Sequence, residues 1–353
     1  MLAYIARRLG LAGVMLLGVV LATFLLHHAL PGDPAAALLG KNYDKDKAAE
    51  LNEKLGFNDP LPVQLARYMG GLAQGDFGRS HVSNEPVTEE LKRVLPATIE
   101  LGLTALILAA FVGTGLGVLT ALKPRSWWDV AGLTVALAGV SLPIFWLGFL
   151  ALQVFGQNGA LESATGLPGL PLGGRFSPDE LALGAWVAQT PGTTGFFLFD
   201  TLFVGRDAGA FWHVVKHLFL PALVLSSVPT AVIARITRAA VGEVLVRDFI
   251  RTARAKGLSE GAVVLKHALR NAAIPIVTTI GTQLGYLLGG AVLTETIFRW
   301  PGMGRYVVDA ILNKDVKPLQ ASVLVIATGF VVINLLVDLS YAFLDPRVQE
   351  GQS

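Results

Sequence analysis

Arg247-Asp-Phe-Ile-Arg-Thr-Ala-Arg-Ala-Lys-Gly257 sits in a basic link, 241–273, between two apolar runs at 218–240 and 274–297. Each run exceeds the roughly 20 residues an α-helix needs to cross a hydrocarbon layer of about 30 Å. A lone span must be helical, because lipid offers its backbone no hydrogen-bond partners. The link holds Arg247, Arg251, Arg254, Lys256, Lys266 and Arg270 against Glu243, Asp248 and Glu260. An excess of Lys and Arg in a short link marks the cytoplasmic side of a membrane. The stretch therefore predicts an all-α membrane protein whose basic link projects into the cytoplasm.

Working outward, six apolar runs meet the length criterion, at 9–30, 97–122, 130–155, 218–240, 274–297 and 319–343. Arg7 and Arg8 precede the first, Lys123 and Arg125 separate the second from the third, and Arg347 follows the last. Both termini are thus expected inside, with 31–96 and 156–217 outside. The first run is about twice a minimal signal-peptide core and reads as an uncleaved span. A seventh span at 181–204 is rejected. Pro191-Gly192 splits it, Asp200 interrupts it, and counting it moves the basic link outside. The expected organisation is a first helix with its external segment (1–96), a transmembrane core (97–343) and a cytoplasmic tail (344–353).

Composition agrees. The chain of 353 residues is 53% hydrophobic and 15% charged, with a mean hydropathy of +0.57. These values favour several spans over a soluble domain. A net charge of +2 gives no reason to expect nucleic acid, and no cysteine is present, which excludes disulfides, thiolate zinc sites and a cysteine nucleophile. The sequence lacks Gly-x4-Gly-Lys-Ser/Thr, His-Glu-x-x-His and Gly-x-Ser-x-Gly. Neither catalysis nor a bound cofactor or metal is expected of this chain.

Several residues carry two readings. Gly113, Gly115 and Gly117, like Gly285, Gly289 and Gly290, suit close helix packing better than a phosphate loop. Pro143 is expected to kink the third span. His27 and His28 point apart on a helix and read as interfacial polar caps rather than a metal pair. Trp127, Trp128 and Trp300 read as interface anchors. Gln283 and Glu295 are candidates for a pathway or gate position, with local satisfaction of Thr294, Thr296 or backbone as the rival role for Glu295. An ion-coupled secondary transporter is the alternative function. It requires ionisable groups at mid-membrane, whereas Glu100, Arg235, Arg238, Glu295 and Asp338 all lie towards span ends.

Within the basic link, helical spacing puts Val246, Phe249, Ile250 and Ala253 on one face and Arg247, Arg251 and Arg254 on another. Gly257 is expected to stop that helix in a left-handed cap, and Ser259 to cap a second one. Such a hairpin suits docking to a protein partner. A basic helix lying on anionic lipid is the rival reading, but it leaves the Gly-punctuated second helix unexplained.

At these residues the sequence resembles a known family. Arg251-Thr-Ala-Arg-Ala-Lys-Gly257, then Leu-Ser-Glu and Lys266-His-Ala-Leu-Arg-Asn-Ala-Ala-Ile-Pro275, is similar to the EAA loop of ABC importer permeases, in the form of the dipeptide, oligopeptide and nickel branch. The general motif's Glu-Ala-Ala is here Arg251, Thr252 and Ala253, and its closing Pro falls at Arg270, with Pro275 further on. Both departures are usual in the peptide branch. Other stretches resemble the family in order: Pro31-Gly-Asp-Pro34, Leu55-Gly-Phe-Asn-Asp-Pro-Leu-Pro-Val-Gln64, Gly75-Asp-Phe-Gly-Arg-Ser80, Leu95-Pro-Ala-Thr-Ile-Glu100, Gly289 to Phe298 with Trp300-Pro-Gly-Met-Gly304, Asn334-Leu-Leu-Val-Asp338 and Leu344-Asp-Pro-Arg347. The N-terminal stretch resembles the first permease of such operons.

The resemblance implies a pore subunit of a bacterial inner-membrane importer for di- or oligopeptides. It implies a second permease, two ATP-binding subunits that hold ATP and Mg, and an extracytoplasmic binding protein. It makes Arg247, Asp248, Arg251, Ala253, Arg254, Ala255, Lys256, Gly257 and Leu258 a coupling helix seated on an ATP-binding subunit.

Overall fold

The computed structural model describes residues 2–29, 44–56, 58–176 and 193–344. The Pro31–Pro34 stretch, Arg347 with the tail, and 181–192 of the rejected seventh span lie outside them. Regular structure among the described residues is helical, apart from isolated bridges of Arg79 with Pro86 and Gly156 with Leu170. We number the helices α1 (Leu2–Ala29), α2 (Lys45–Leu55), α3 (Leu61–Ala73), α4 (Val87–Leu122), α5 (Trp127–Ser141) and α6 (Ile144–Phe155). The other α-helices longer than a single turn are α7 (Ala160–Thr165), α8 (Ala208–Leu245), α9 (Asp248–Ala255), α10 (Ala273–Ile297), α11 (Met303–Leu312) and α12 (Val316–Leu344).

Four of these, α1, α4, α8 and α12, are each long and apolar enough to cross a membrane. α10 makes a fifth if its two arms, bent by 57° between Leu287 and Ala291, form one span. The run expected at 130–155 is not one helix. Pro143 forces Leu142 into extended backbone (φ −88°, ψ 134°) and removes a backbone donor, so α5 ends and α6 begins there. At 36 and 38 residues, α4 and α8 outreach a bilayer. The extra first turns of α4 bury Val87 and Leu91 against Met303 and Ala321.

The bundle is built on the α4–α8 pair, flanked by α5 and α10, with α12 joining α1, α10 and α11. Lipid supplies no hydrophobic drive for helices to meet, so close backbone approach carries the association. Gly113 and Gly117 permit it. A Cβ at Gly113 would lie 2.8 Å from the Thr230 carbonyl oxygen, and one at Gly117 would lie 2.6 Å from that of Ala234. Gly115 faces the other way and meets nothing within 4 Å.

Candidate functional site

The basic link forms a hairpin under α4 and α8. α9 ends in a Schellman arrangement, with Leu258 N–H donating to the Ala253 carbonyl at 3.3 Å and Gly257 N–H to that of Arg254 at 2.9 Å. Gly257 takes φ +79°, and the space around its missing Cβ is open, so only backbone strain opposes a side chain there. The chain then continues through Glu260–Ala262, a π-helical turn at Val263–Ala268 and Leu269–Asn271 into α10. Ser259 occupies the expected N-cap position but makes no side-chain cap bond, so it does not cap as anticipated.

The expected apolar face divides in two. Ile250 and Ala253 are buried against Ala121, Val241, Val263 and Ile276, whereas Val246 and Phe249 are 68% and 44% exposed. Val246 belongs to the end of α8 rather than to α9, and Phe249 is turned about 100° from Ile250, which is why only half the set reaches the core. The three arginines are exposed, each beside a carboxylate. Arg247 pairs with Glu243, Arg251 with Asp248 at 3.4 Å, and Arg254 with Glu260 at 2.8 Å. The last pair crosses the Gly257 turn and ties the two halves of the hairpin. Sequence periodicity does not predict it, because it spans the helix break.

At the opposite end of the bundle, three of the quoted stretches meet in a buried knot. Glu295, fully buried near the end of α10, accepts from Thr98 Oγ1 at 2.6 Å and from Arg305 N–H at 3.0 Å. Thr98 in turn accepts from Met303 N–H at 2.7 Å. Trp300 donates its indole N–H to the Ala97 carbonyl at 2.9 Å. It is fully buried, not the interface anchor expected; Trp127 and Trp128 are exposed. The partners of Glu295 are therefore neither Thr294 nor Thr296. Gln283 lies half-buried on α10, beside exposed Thr282 and one turn from exposed Tyr286.

Next to the knot lies a buried ion pair absent from the sequence reading. Arg175, from the segment after α7, pairs with Glu100 of α4, the two side chains 4% and 3% exposed. Glu100 also accepts from Leu198 N–H at 2.6 Å, and Arg175 lies 3.5 Å over the Phe197 ring. Burial lowers the Arg175 pKa, while Glu100 and Asp200 oppose that shift. Asp200 receives Thr194 and Gly195 N–H, each at 2.9 Å. A cleft of about 750 Å³ opens beside Arg175, with Glu85, Glu89, Lys92 and Arg93 on its wall.

Two family models match the chain. Residues 1–102 fit the N-terminal model of the binding-protein-dependent transport system membrane component, and 113–350 fit the inner membrane component model. The dipeptide transport system permease protein DppB of Alkalihalophilus pseudofirmus is 45% identical, covering 99% of this chain and 100% of its own length. The di/tripeptide transport system permease protein DppB of Pseudomonas aeruginosa is 44% identical, with 99% of each chain covered. The glutathione transport system permease protein GsiC of Salmonella paratyphi A is 40% identical over 99% of each.

Proposed function

The chain belongs to the family of binding-protein-dependent transport system inner membrane components, and from that premise we propose that it forms half of the route by which di- or oligopeptides enter the cell. It is an inner-membrane permease subunit of an ABC importer. The observation that supports peptide cargo is full-length similarity to permeases whose names specify dipeptides, di/tripeptides and glutathione.

In this reading an extracytoplasmic binding protein delivers the peptide, and a second permease completes the route. Two ATP-binding subunits hold ATP and Mg and hydrolyse the nucleotide, while this chain carries out no covalent chemistry. The hairpin 247–258 is the coupling element. Its buried Ile250 and Ala253 fix it to α4 and α8, so a push on α9 is transmitted to the two longest helices. Exposed Val246 and Phe249 supply apolar contact for an ATP-binding subunit, and the locally paired arginines set orientation more than affinity. Gln283 is assigned to the pathway. Glu295 is assigned to holding the end of α10, Thr98 and the start of α11 together as the route switches its open side. Such a switch requires partners that bind the two states with different affinity.

Proteoliposomes test the proposal. Uptake of a labelled dipeptide should require both permeases, both ATP-binding subunits, the binding protein and ATP, and the purified chain alone should hydrolyse no ATP. Uptake driven by an ion gradient in the absence of ATP would replace this reading with that of a secondary transporter.

A further inference from the structure

Three sides of α8 are taken. Thr230 and Ala234 face α4 across Gly113 and Gly117, Ser227 and Arg238 face α5 at Gly139 and Asp129, and Leu225 and Val241 cluster with Leu287 and Ile276 of α10. The fourth side is a stripe of Leu220, Val224, Val228, Val232, Arg235 and Ala239, at steps of three and four residues. Leu220 and Val224 are buried under α6, whereas Val228 and Val232 are half-buried and Arg235 and Ala239 exposed. The stripe is thus closed towards the outside and open towards the hairpin. Arg235 is its unpaired cation. No hydrogen bond or ion pair reaches it among the described residues, and the residues three and four positions away are Ala231, Val232, Arg238 and Ala239. It lies one turn deeper in the span than Arg238, whose partner Asp129 adjoins the exposed Trp127 and Trp128.

α10 brings polar groups to the same opening. Its Ile276 and Leu287 face α8, Gly281 and Gly285 face Val337 and Phe330 of α12, and Thr279, Gln283 and Tyr286 occupy the side left over. The two helices run antiparallel, since Val241 clusters with Ile276 and Leu225 with Leu287. Arg235 is therefore level with Thr279 and Gln283 to within about one turn. Gln283 and Tyr286 have no side-chain partner among the described residues either. A side turned to lipid looks different: α4 exposes Leu103, Ile107, Phe111 and Leu119. Unpaired ionisable and amide groups within spans mark a watered path rather than acyl chain. We propose that Arg235 binds the C-terminal carboxylate of the passing peptide in the cytoplasmic half of the route, with the Gln283 carboxamide as a second donor. That carboxylate is common to di- and oligopeptides whatever their side chains, and a guanidinium holds it with two parallel N–H donors. The role rests on the peptide cargo proposed above and adds the group on this chain that meets it.

The chain has no cysteine, so Ala239→Cys gives it one thiol beside Arg235 on the stripe. In the importer assembled without binding protein or nucleotide, that thiol is titrated with a water-soluble maleimide. A dipeptide with a free C-terminus should slow the modification severalfold, and its C-terminal amide should not. Adding Arg235→Gln should abolish the protection. In proteoliposomes supplied with binding protein and ATP, Arg235→Gln should lower dipeptide uptake about tenfold, the weight of one charge-assisted pair. The complex should stay assembled, and Arg235→Lys should recover part of the uptake. Equal effects of acid and amide, protection that survives Arg235→Gln, or unchanged uptake in Arg235→Gln would each overturn the proposal. A thiol that only a lipid-soluble maleimide reaches would overturn it in favour of a side turned to lipid. Failure of the unsubstituted importer to take up any dipeptide would instead refute the peptide cargo itself.

Discussion

The two ends of this permease are built on opposite principles. At the hairpin, charges stand in water and pair with neighbours three to six positions away: Arg251 with Asp248, Arg247 with Glu243, Arg254 with Glu260. At the knot and the ion pair beside it, polar groups are buried and their partners are distant in the chain. Glu100 and Arg175 are separated by 75 residues, Thr98 and Glu295 by 197, and Trp300 and Ala97 by 203. Exposed ion pairs contribute little and break at little cost, whereas a buried group deprived of its partner is expensive. The hairpin is thus a surface that can exchange partners, and the knot is a fastening.

Breaking the fastening should give the largest effect. Arg175→Met leaves Glu100 buried without its cation, and the expected loss is about 3–5 kcal/mol, read as a lowered melting temperature of the solubilised chain. Glu100→Leu combined with Arg175→Met should recover most of it, because the uncompensated charge is then gone. If the single variant melts like wild type, the pair is not the fastening described here.

A smaller loss is expected at Glu295. Its two oxygens accept from Thr98 and from the backbone of Arg305, so Glu295→Gln sets an amide donor against one of those donors. The cost should be roughly 1–3 kcal/mol, with Gln283→Ala as the comparison expected to change uptake more than melting. The smallest effect belongs to the hairpin surface. Arg254 and Glu260 are 42% and 65% exposed, so Arg254→Gln should change stability by less than about 1 kcal/mol, and salt should diminish even that.

The same contrast governs how much was legible in the sequence. Features set by near neighbours could be read directly: most of the apolar runs, a disturbance at Pro143 (expected as a kink, found as a helix break), the left-handed turn at Gly257, and close packing at Gly113 and Gly117. Where side-chain direction or a distant partner decides, the reading stopped short. Val246 and Phe249 share a periodic face with Ile250, but only packing against α4 and α8 determines which of them is buried. Trp300 has the composition of an interface anchor, and its burial follows from a carbonyl two hundred positions earlier. Arg175 lies in a Gly- and Pro-rich segment without periodicity, and nothing local connects it to Glu100. The stretches Leu95–Glu100, Gly289–Phe298 and Trp300–Gly304 were visible as family signatures; that they form one knot was not.

Docking of an ATP-binding subunit on the hairpin, as proposed above, depends on the geometry of the turn more than on its charge. Gly257→Val tests this most directly. The substitution adds no charge and its Cβ meets no atom within 4 Å, but it puts a β-branched residue at φ +79°, a strain of about 1–3 kcal/mol confined to the turn. The measurement is capture of the ATP-binding subunits together with ATP-dependent dipeptide uptake in proteoliposomes, with the double variant Arg251→Gln, Arg254→Gln alongside. Gly257→Val should give an inserted chain with poor capture or with hydrolysis uncoupled from uptake, and the double variant a milder defect. Normal capture and uptake in Gly257→Val, with loss of membrane attachment in the double variant, would contradict that dependence and favour a helix that lies on lipid.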